Sequence, residues 1–578
     1  MKTSSLITAL FLAAGCATPS GSGTADARFE TLAREFMDTH FAQRPDQAVA
    51  LGWHQFDGKV ARWNVAAITA EEARLRHYQT AFQQFAPAGL SSAHQLDREV
   101  LLSDIAKERW GFHIGSHRRN PMFYAGRPDI LVYLTRDFAP LPERVCHATA
   151  VLRHTPDLLK DARTNLEPVL ARPLVETAIL IAEGGAAFLE REALVEVRKA
   201  GDVAVVREFE QVAAAAAHEL NQFAEWLRKE RLPRSNDRFA IGDQAYREML
   251  AAEHVTMSPK EILAQGMPAL AREQERFAAA ARVIDPDRKA ADVYLDIQRD
   301  HPTEQGLIPD TRKNLEAIRQ FVMDHRLVTI PSEVRPRVEE TPPPQRATGF
   351  ASMDTPGPFE TRATEAYYYV TPTEPDWSAQ RKEEWLTAFN YYTTDIVSIH
   401  EAYPGHYVQY LALNASRAST ATKVFHSYAF VEGWAHYTEQ LMIEAGFPGA
   451  GLGGVNDPVR NAKYALAQSG EALLRYCRLV CSIRLHTQGM TVDEATRFFM
   501  DNCHYAEEPS RQEALRGTYD PGYLFYALGK LEILRLRDDW RKQEGAAFSL
   551  TRFHDEFLSH GAPPIPVVRR LMLKDAMR

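Results

Sequence analysis

Cysteine is scarce: the chain of 578 residues has five. A disulfide-held scaffold is therefore excluded, and no Cys-x-x-Cys spacing offers a thiolate metal or redox site. Long apolar runs are missing as well. The apolar stretch near the N-terminus, residues 6–15, is about ten residues long where a membrane-spanning helix needs about twenty. Positive charge is not in excess, because 67 Lys+Arg face 76 Asp+Glu and the formal charge is −9. That removes the electrostatic footprint of a nucleic-acid binder, and no nucleic-acid partner is expected. No repeat of fixed period occurs, so a regular solenoid is not expected. With 31 Gly, 33 Pro and 45% hydrophobic residues the chain is neither collagen-like nor disordered.

What is present begins with an export signal. Lys2 and the short apolar stretch read as a signal peptide over residues 1–15. Cys16 stands directly after small residues, and a flexible polar tether rich in Ser and Gly follows it to residue 26. This is similar to a bacterial lipoprotein signal, in which Cys16 becomes the lipidated N-terminus, with one departure: Ala13 stands where the pattern usually has Leu. The resemblance implies an exported lipoprotein held to a membrane by its lipid alone, on the periplasmic face of the outer membrane. An ordinary cleaved signal with a free Cys is the alternative. Cys477 and Cys481 lie four apart in a helical pattern and are expected as buried small apolar residues rather than a bridge.

Residues 27–330 are dominated by good helix formers with apolar positions at helical spacing, as in Phe29, Leu32 and Phe36. Ser258-Pro259-Lys260-Glu261 predicts a helix start, with Ser at the cap, Pro first and Glu third. That helix should run to about Val283 and stop at Asp285-Pro286-Asp287. Residues 331–375 turn Pro-rich and hold two strand candidates, 349–353 and 367–370, expected as a small antiparallel sheet around the turn Thr355-Pro356-Gly357-Pro358. Residues 376–578 form a second helical block. The expectation is a mostly α protein, a large bilobal helical body with residues 27–578 as one integrated domain.

The chemistry gathers in three places of that second block. The first is His400-Glu401-Ala402-Tyr403-Pro404-Gly405-His406, after the helical run 385–399. A zinc-peptidase helix places two histidines four apart so that they share a face. Here the second is six positions on, and six steps on a regular helix leave His406 about 120° away from His400. Pro404 cannot donate to the carbonyl of His400, and Gly405 tolerates unusual dihedrals, so a bulge of these two residues could restore the facing. A helix that ends at Tyr403, with two unrelated histidines, is the plainer alternative. The second place is Glu432, His436 and Glu439, at i, i+4 and i+7 on one helix face. Bulky apolar neighbours, Phe430, Val431, Trp434, Tyr437 and Leu441, put that polar stripe inside the protein, where buried acids need partners. The third is the segment 519–530, with Pro521-Gly522, Tyr526 and Gly529-Lys530, leading into a basic amphipathic helix.

Together these motifs resemble the bacterial domain-of-unknown-function 885 family, which is similar to zinc metallopeptidases of the gluzincin type. The residues that carry the resemblance are 400–409, the Glu432-Gly433-Trp434 segment through Glu439, and Pro521-Gly522 with Tyr526 and Gly529-Lys530; it extends over nearly the whole chain from Phe29. It implies a mostly helical, zincin-like metallopeptidase fold with a deep cleft and a small sheet beside the motif helix. It further implies one Zn²⁺ held by His400, His406 and Glu432, with Glu401 as general base and Tyr526 steadying the oxyanion. His436 is a second candidate for the oxyanion, and Glu439 is expected to orient a liganding histidine. Tyr407 stands where the family often has another His. The expected reaction is zinc-dependent hydrolysis of short peptides. Two other readings are an inactive peptide-binding lipoprotein on the same fold and a carboxylate-bridged di-iron oxidase. The latter lacks the Glu-x-x-His pairs its class uses.

Overall fold

A computed structural model describes residues 24–346, 349–449 and 457–574. The signal peptide and Cys16 lie outside the described residues. Among the described residues, ten of the helices and a three-stranded sheet build the site and the two largest cores around it. In chain order the helices of the first half are α1 (Ser92–His113), α2 (Arg172–Glu190), α3 (Val203–Trp226) and α4 (Pro259–Ile284). The strands β1 (Arg337–Glu340), β2 (Ala351–Asp354) and β3 (Tyr367–Val370) follow. The second half supplies α5 (Tyr391–Glu401), α6 (His406–Ala415), α7 (Tyr428–Glu444), α8 (Pro458–Thr487), α9 (Glu507–Tyr519) and α10 (Phe525–Glu544).

The start of α4 is the one its sequence predicts. The Ser258 hydroxyl accepts from Glu261 N–H, and the Glu261 carboxylate accepts from Ser258 N–H, so two orphan donors are satisfied reciprocally. α2 and α3 pack their apolar faces together in one core, while α4 lies along α8 in another. α8 is the axis of the second core: every residue from 466 to 483 is buried. A helix enclosed on all sides must bury its polar residues too, here Gln468, Glu471, Arg475 and Arg478, and each charge then needs a partner. Cys477 and Cys481 are free and buried in this helix, as expected of small apolar residues.

The sheet is mixed, not antiparallel. Its order is β1-β3-β2, with β1 parallel and β2 antiparallel to β3. β1 escapes pattern reading because three of its four residues are charged and only Val338 points into the core. The parallel pairing needs a crossover, which the segment carrying β2 provides. The helical run before the motif is also interrupted. Asn390 caps a new helix there, its side chain accepting from Thr393 N–H at 3.0 Å.

Candidate metal centre

The Pro-Gly insertion does not bulge from a continuous helix. α5 ends at Glu401, residues 402–405 turn, and α6 begins at His406. Gly405 lies so close to the preceding turn that a Cβ there would sit 1.8 Å from the carbonyl oxygen of His400, which only glycine avoids. Gly405 N–H donates to the Ile399 carbonyl at 3.0 Å and anchors the turn. The Trp434 indole clamps it from α7, donating to the carbonyls of Pro404 at 3.0 Å and Gly405 at 3.3 Å. The helix therefore does end near Tyr403, yet the two histidines converge, their rings 4.8 Å apart and nearly perpendicular.

Three elements thus deliver three donors: His400 from the end of α5, His406 from the start of α6 and Glu432 from α7. Their ligand atoms all lie within 4.8 Å of one another. Glu432 Oε2 is 3.4 Å from His400 Nε2 and 3.6 Å from His406 Nε2. For a tetrahedral ion with ligands at about 2.0–2.1 Å, the ligand-to-ligand edge is about 3.3–3.4 Å, so these separations suit one shared ion. Glu432 Oε2 is buried and has no hydrogen-bond partner, an orphaned acceptor aimed between two imidazoles. The residues present fit a zinc ion. His400 is 6% exposed, against 18% for His406 and for Glu432, so the cluster is open on the side of the last two.

Electrostatics agree with the geometry. Burial alone would depress the His400 imidazole, but Glu432 and Glu439 outweigh it and push it up to about 10. Burial would raise Glu432, and the two imidazoles pull it well below the usual carboxylate range instead. Behind the cluster, Glu439 is fully enclosed. Its Oε1 accepts from the Nδ1–H of His400 at 2.8 Å, which leaves Nε2 of that ring for a metal. Burial opposes the Glu439 charge, and Arg475, 3.6 Å away on α8, leads in holding it well below the usual carboxylate range.

Glu401 sits beside His400 with its Oε2 accepting from the N–H of Met353 on β2 at 2.9 Å. Tyr526 of α10 lies near His400, the rings 6.4 Å apart and within 18° of parallel. The backbones of α7 and α10 touch where Gly433 meets Gly529. A Cβ on Gly433 would fall 2.6 Å from Gly529 Cα, and one on Gly529 would fall 2.1 Å from the Ala429 carbonyl oxygen. Tyr526, one turn before Gly529, is carried to the site by that contact. The guanidinium groups of Arg478 and Arg516 lie over its ring at 5.1 and 5.8 Å.

His436 is not brought to the cluster. It is fully buried, its Nδ1 faces Glu439 Oε2 at 3.1 Å, and burial together with the charge of Lys530 depresses it to about 3. The His436 ring is enclosed behind Glu439 and adds no ligand atom to the group formed by His400, His406 and Glu432. Tyr407 points away, its hydroxyl donating to the Val334 carbonyl at 3.0 Å. Sequence reading missed the Met353 amide and Arg475. The i, i+4 pair Glu471 and Arg475 on α8 was the available signal for the second; a backbone donor leaves none.

Fold and site define a class: a mostly helical protein in which two histidines and a glutamate from three helices meet around one point. The chain belongs to the family described as "Bacterial protein of unknown function (DUF885)", which it matches over residues 45–572. It is similar to the solved structure of a candidate lipoprotein of unknown function from Shewanella oneidensis, with 25% identity and a TM-score of 0.78 over 94% of this chain and 100% of that one. A candidate lipoprotein from Colwellia psychrerythraea, at 16% identity, shares the fold with a TM-score of 0.77 over 95% of this chain and 98% of its own. No curated protein matches the chain significantly. No helix among the described residues is long and apolar enough to cross a membrane.

Proposed function

We propose that the protein is a zinc-dependent peptidase of short peptides. The observation that carries this reading is the convergence of His400, His406 and the orphaned Glu432 oxygen at 3.4 and 3.6 Å, with Glu401 next to them. A zinc ion bound there supplies a Lewis acid that polarises the scissile carbonyl and acidifies the attacking water. Glu401 has one oxygen held by Met353 N–H, and its carboxylate takes the water's proton and later hands it to the leaving amine. Glu439 keeps His400 in the tautomer that presents Nε2. Tyr526 donates to the developing oxyanion. Burial and then the Glu432 charge raise its hydroxyl, so it stays protonated and able to donate.

The test is turnover of a mixed peptide library by purified, zinc-loaded protein, read by mass spectrometry with and without a chelator. Chelator-sensitive cleavage is expected, and the position of the cut bond sorts carboxypeptidase, dipeptidase and oligopeptidase action. Protein that never binds zinc stoichiometrically overturns the reading; binding of peptides without any cleavage points to a peptide receptor instead.

We also propose that the chain is an exported lipoprotein anchored through Cys16, on the periplasmic face of the outer membrane. The signal pattern and the descriptions of both structural relatives support it. Cys16→Ser should move the protein from the membrane fraction to the soluble one. Unchanged fractionation would sink the anchor.

A further inference from the structure

Beside the centre lies a cavity of 660 Å³, bounded by α1, the segment 167–174, the N-terminus of α7 and the turn that precedes α10. Its size is that of small-ligand sites, about 300–1,000 Å³. Trp110, Leu174, Phe239, Met249 and Phe525 make its walls mainly apolar. Tyr428 also lines it, and its ring is 5.7 Å from that of Tyr526, which in turn is 6.4 Å from that of His400. The cavity is thus two ring contacts from the metal ligands.

Its charges are unequally matched. The three carboxylates along it are occupied: Glu167 by Arg118 at 3.1 Å, Glu253 by the Ser427 hydroxyl and Tyr428 N–H, and Asp520 by Arg516 at 2.9 Å. The two arginines are not. The half-buried Arg119 guanidinium reaches only the Arg238 carbonyl, at 3.4 Å, and that of Arg238, an exposed residue on the rim, makes no ion pair or hydrogen bond among the described residues. An apolar chamber with two guanidinium groups that no carboxylate neutralises suits a ligand that is apolar along its length and anionic at one end.

We infer that this cavity receives the C-terminal part of the substrate, an apolar terminal side chain lying against its walls and the free α-carboxylate on Arg119 and Arg238. The preferred substrates are then short peptides ending in a free apolar residue. This rests on the peptidase reading for its enzymatic meaning, but binding tests it separately. The probe is N-acetyl-Ala-Ala-Phe, as free acid and as C-terminal amide, titrated by calorimetry into zinc-loaded Glu401→Gln protein, which is expected not to consume it.

The acid should bind at least about tenfold more tightly than the amide. The double variant Arg119→Ala/Arg238→Ala should erase that preference, which also excludes a carboxylate sitting on zinc as its source. Arg118→Ala, whose guanidinium is already taken by Glu167, should leave the preference intact. Equal binding of acid and amide, binding of neither, or a preference that survives the double variant overturns the inference. Should the double variant fail to fold, each single arginine variant must cut the preference by severalfold. Wild-type protein that prefers the acid yet cleaves nothing sinks the peptidase reading and leaves the cavity's ligand standing. Wild-type protein that cleaves acid and amide peptides with equal kcat/KM does the reverse.

Discussion

Helices α3 and α7 are both packed into cores, yet they bury different chemistry. α3 encloses Phe209, Ala213, Ala216, Ala217, Leu220, Phe223 and Ala224, an apolar stripe at helical spacing, and leaves its other face to water. α7 encloses Ala429, Phe430, Trp434, Tyr437, Leu441 and Met442, and with them His436, Thr438 and Glu439. Apolar transfer alone accounts for α3. In α7 the same gain has to offset desolvation of a histidine and a carboxylate, which the contacts of Glu439 to His400, His436 and Arg475 reduce. The contrast separates a helix that holds the molecule together from one whose buried polar groups set the geometry of a site.

The strongest test of that division is Glu401→Gln. It should lower kcat on cleaved peptides by at least about a thousandfold while zinc content, read by mass spectrometry, stays at one per chain. Retained activity would remove the chemical role from the α5–α7 side altogether. Next is Phe209→Ala on α3, a fully buried ring, which should cost about 3–5 kcal/mol in urea unfolding with zinc affinity unchanged. A parallel fall in zinc affinity would mean that the two helices are not independent. Glu439→Gln on α7 should weaken zinc binding about 10–100-fold in competition with a colorimetric chelator. An unchanged affinity would show that this buried acid does not serve His400.

The smallest effect concerns acid. His554 is fully buried; its Nδ1–H donates to the Leu327 carbonyl at 2.6 Å, and its Nε2 accepts from the Tyr437 hydroxyl of α7 at 2.8 Å. Burial depresses it to about 4 from its ordinary 6.5. Between those values the unfolded chain binds the extra proton, so the stability due to neutral His554 is complete above about pH 6.5 and is lost as pH falls toward 4. His554→Gln abolishes that dependence. The stability gap between wild type and variant should therefore narrow by about 1 kcal/mol from pH 7.5 to pH 5.5, measured by urea midpoints. A constant gap would mean that His554 keeps an ordinary pKa in the folded protein.

Much of this was legible because it rests on local rules. The cap at Ser258 and the strand Tyr367–Val370 follow from side-chain chemistry and from a run of β-favouring residues within a few positions. His400, His406 and Glu432 were legible as a group through the family resemblance, whereas spacing arithmetic on a continuous helix argued against them. That arithmetic failed because the helix breaks at 402–405 and the chain re-enters a new helix at His406. β1 was hidden by its charges. The amide of Met353 meets Glu401 across 48 positions with no side chain involved, so composition and periodicity carry no trace of it.

The Gly433–Gly529 contact has a mechanical consequence. Where two helices are spaced by side chains, rotamer changes can shift their separation, and thermal motion is absorbed in that soft layer. Here the spacer is backbone against backbone, which has no rotamers to change. Glu432, one position before this pivot, and Tyr526, one turn before it on the other helix, are therefore registered to each other like two jaws on a common pin. Substitutions elsewhere on α7 or α10 can loosen or tighten the surrounding packing while the gap between those jaws stays constant.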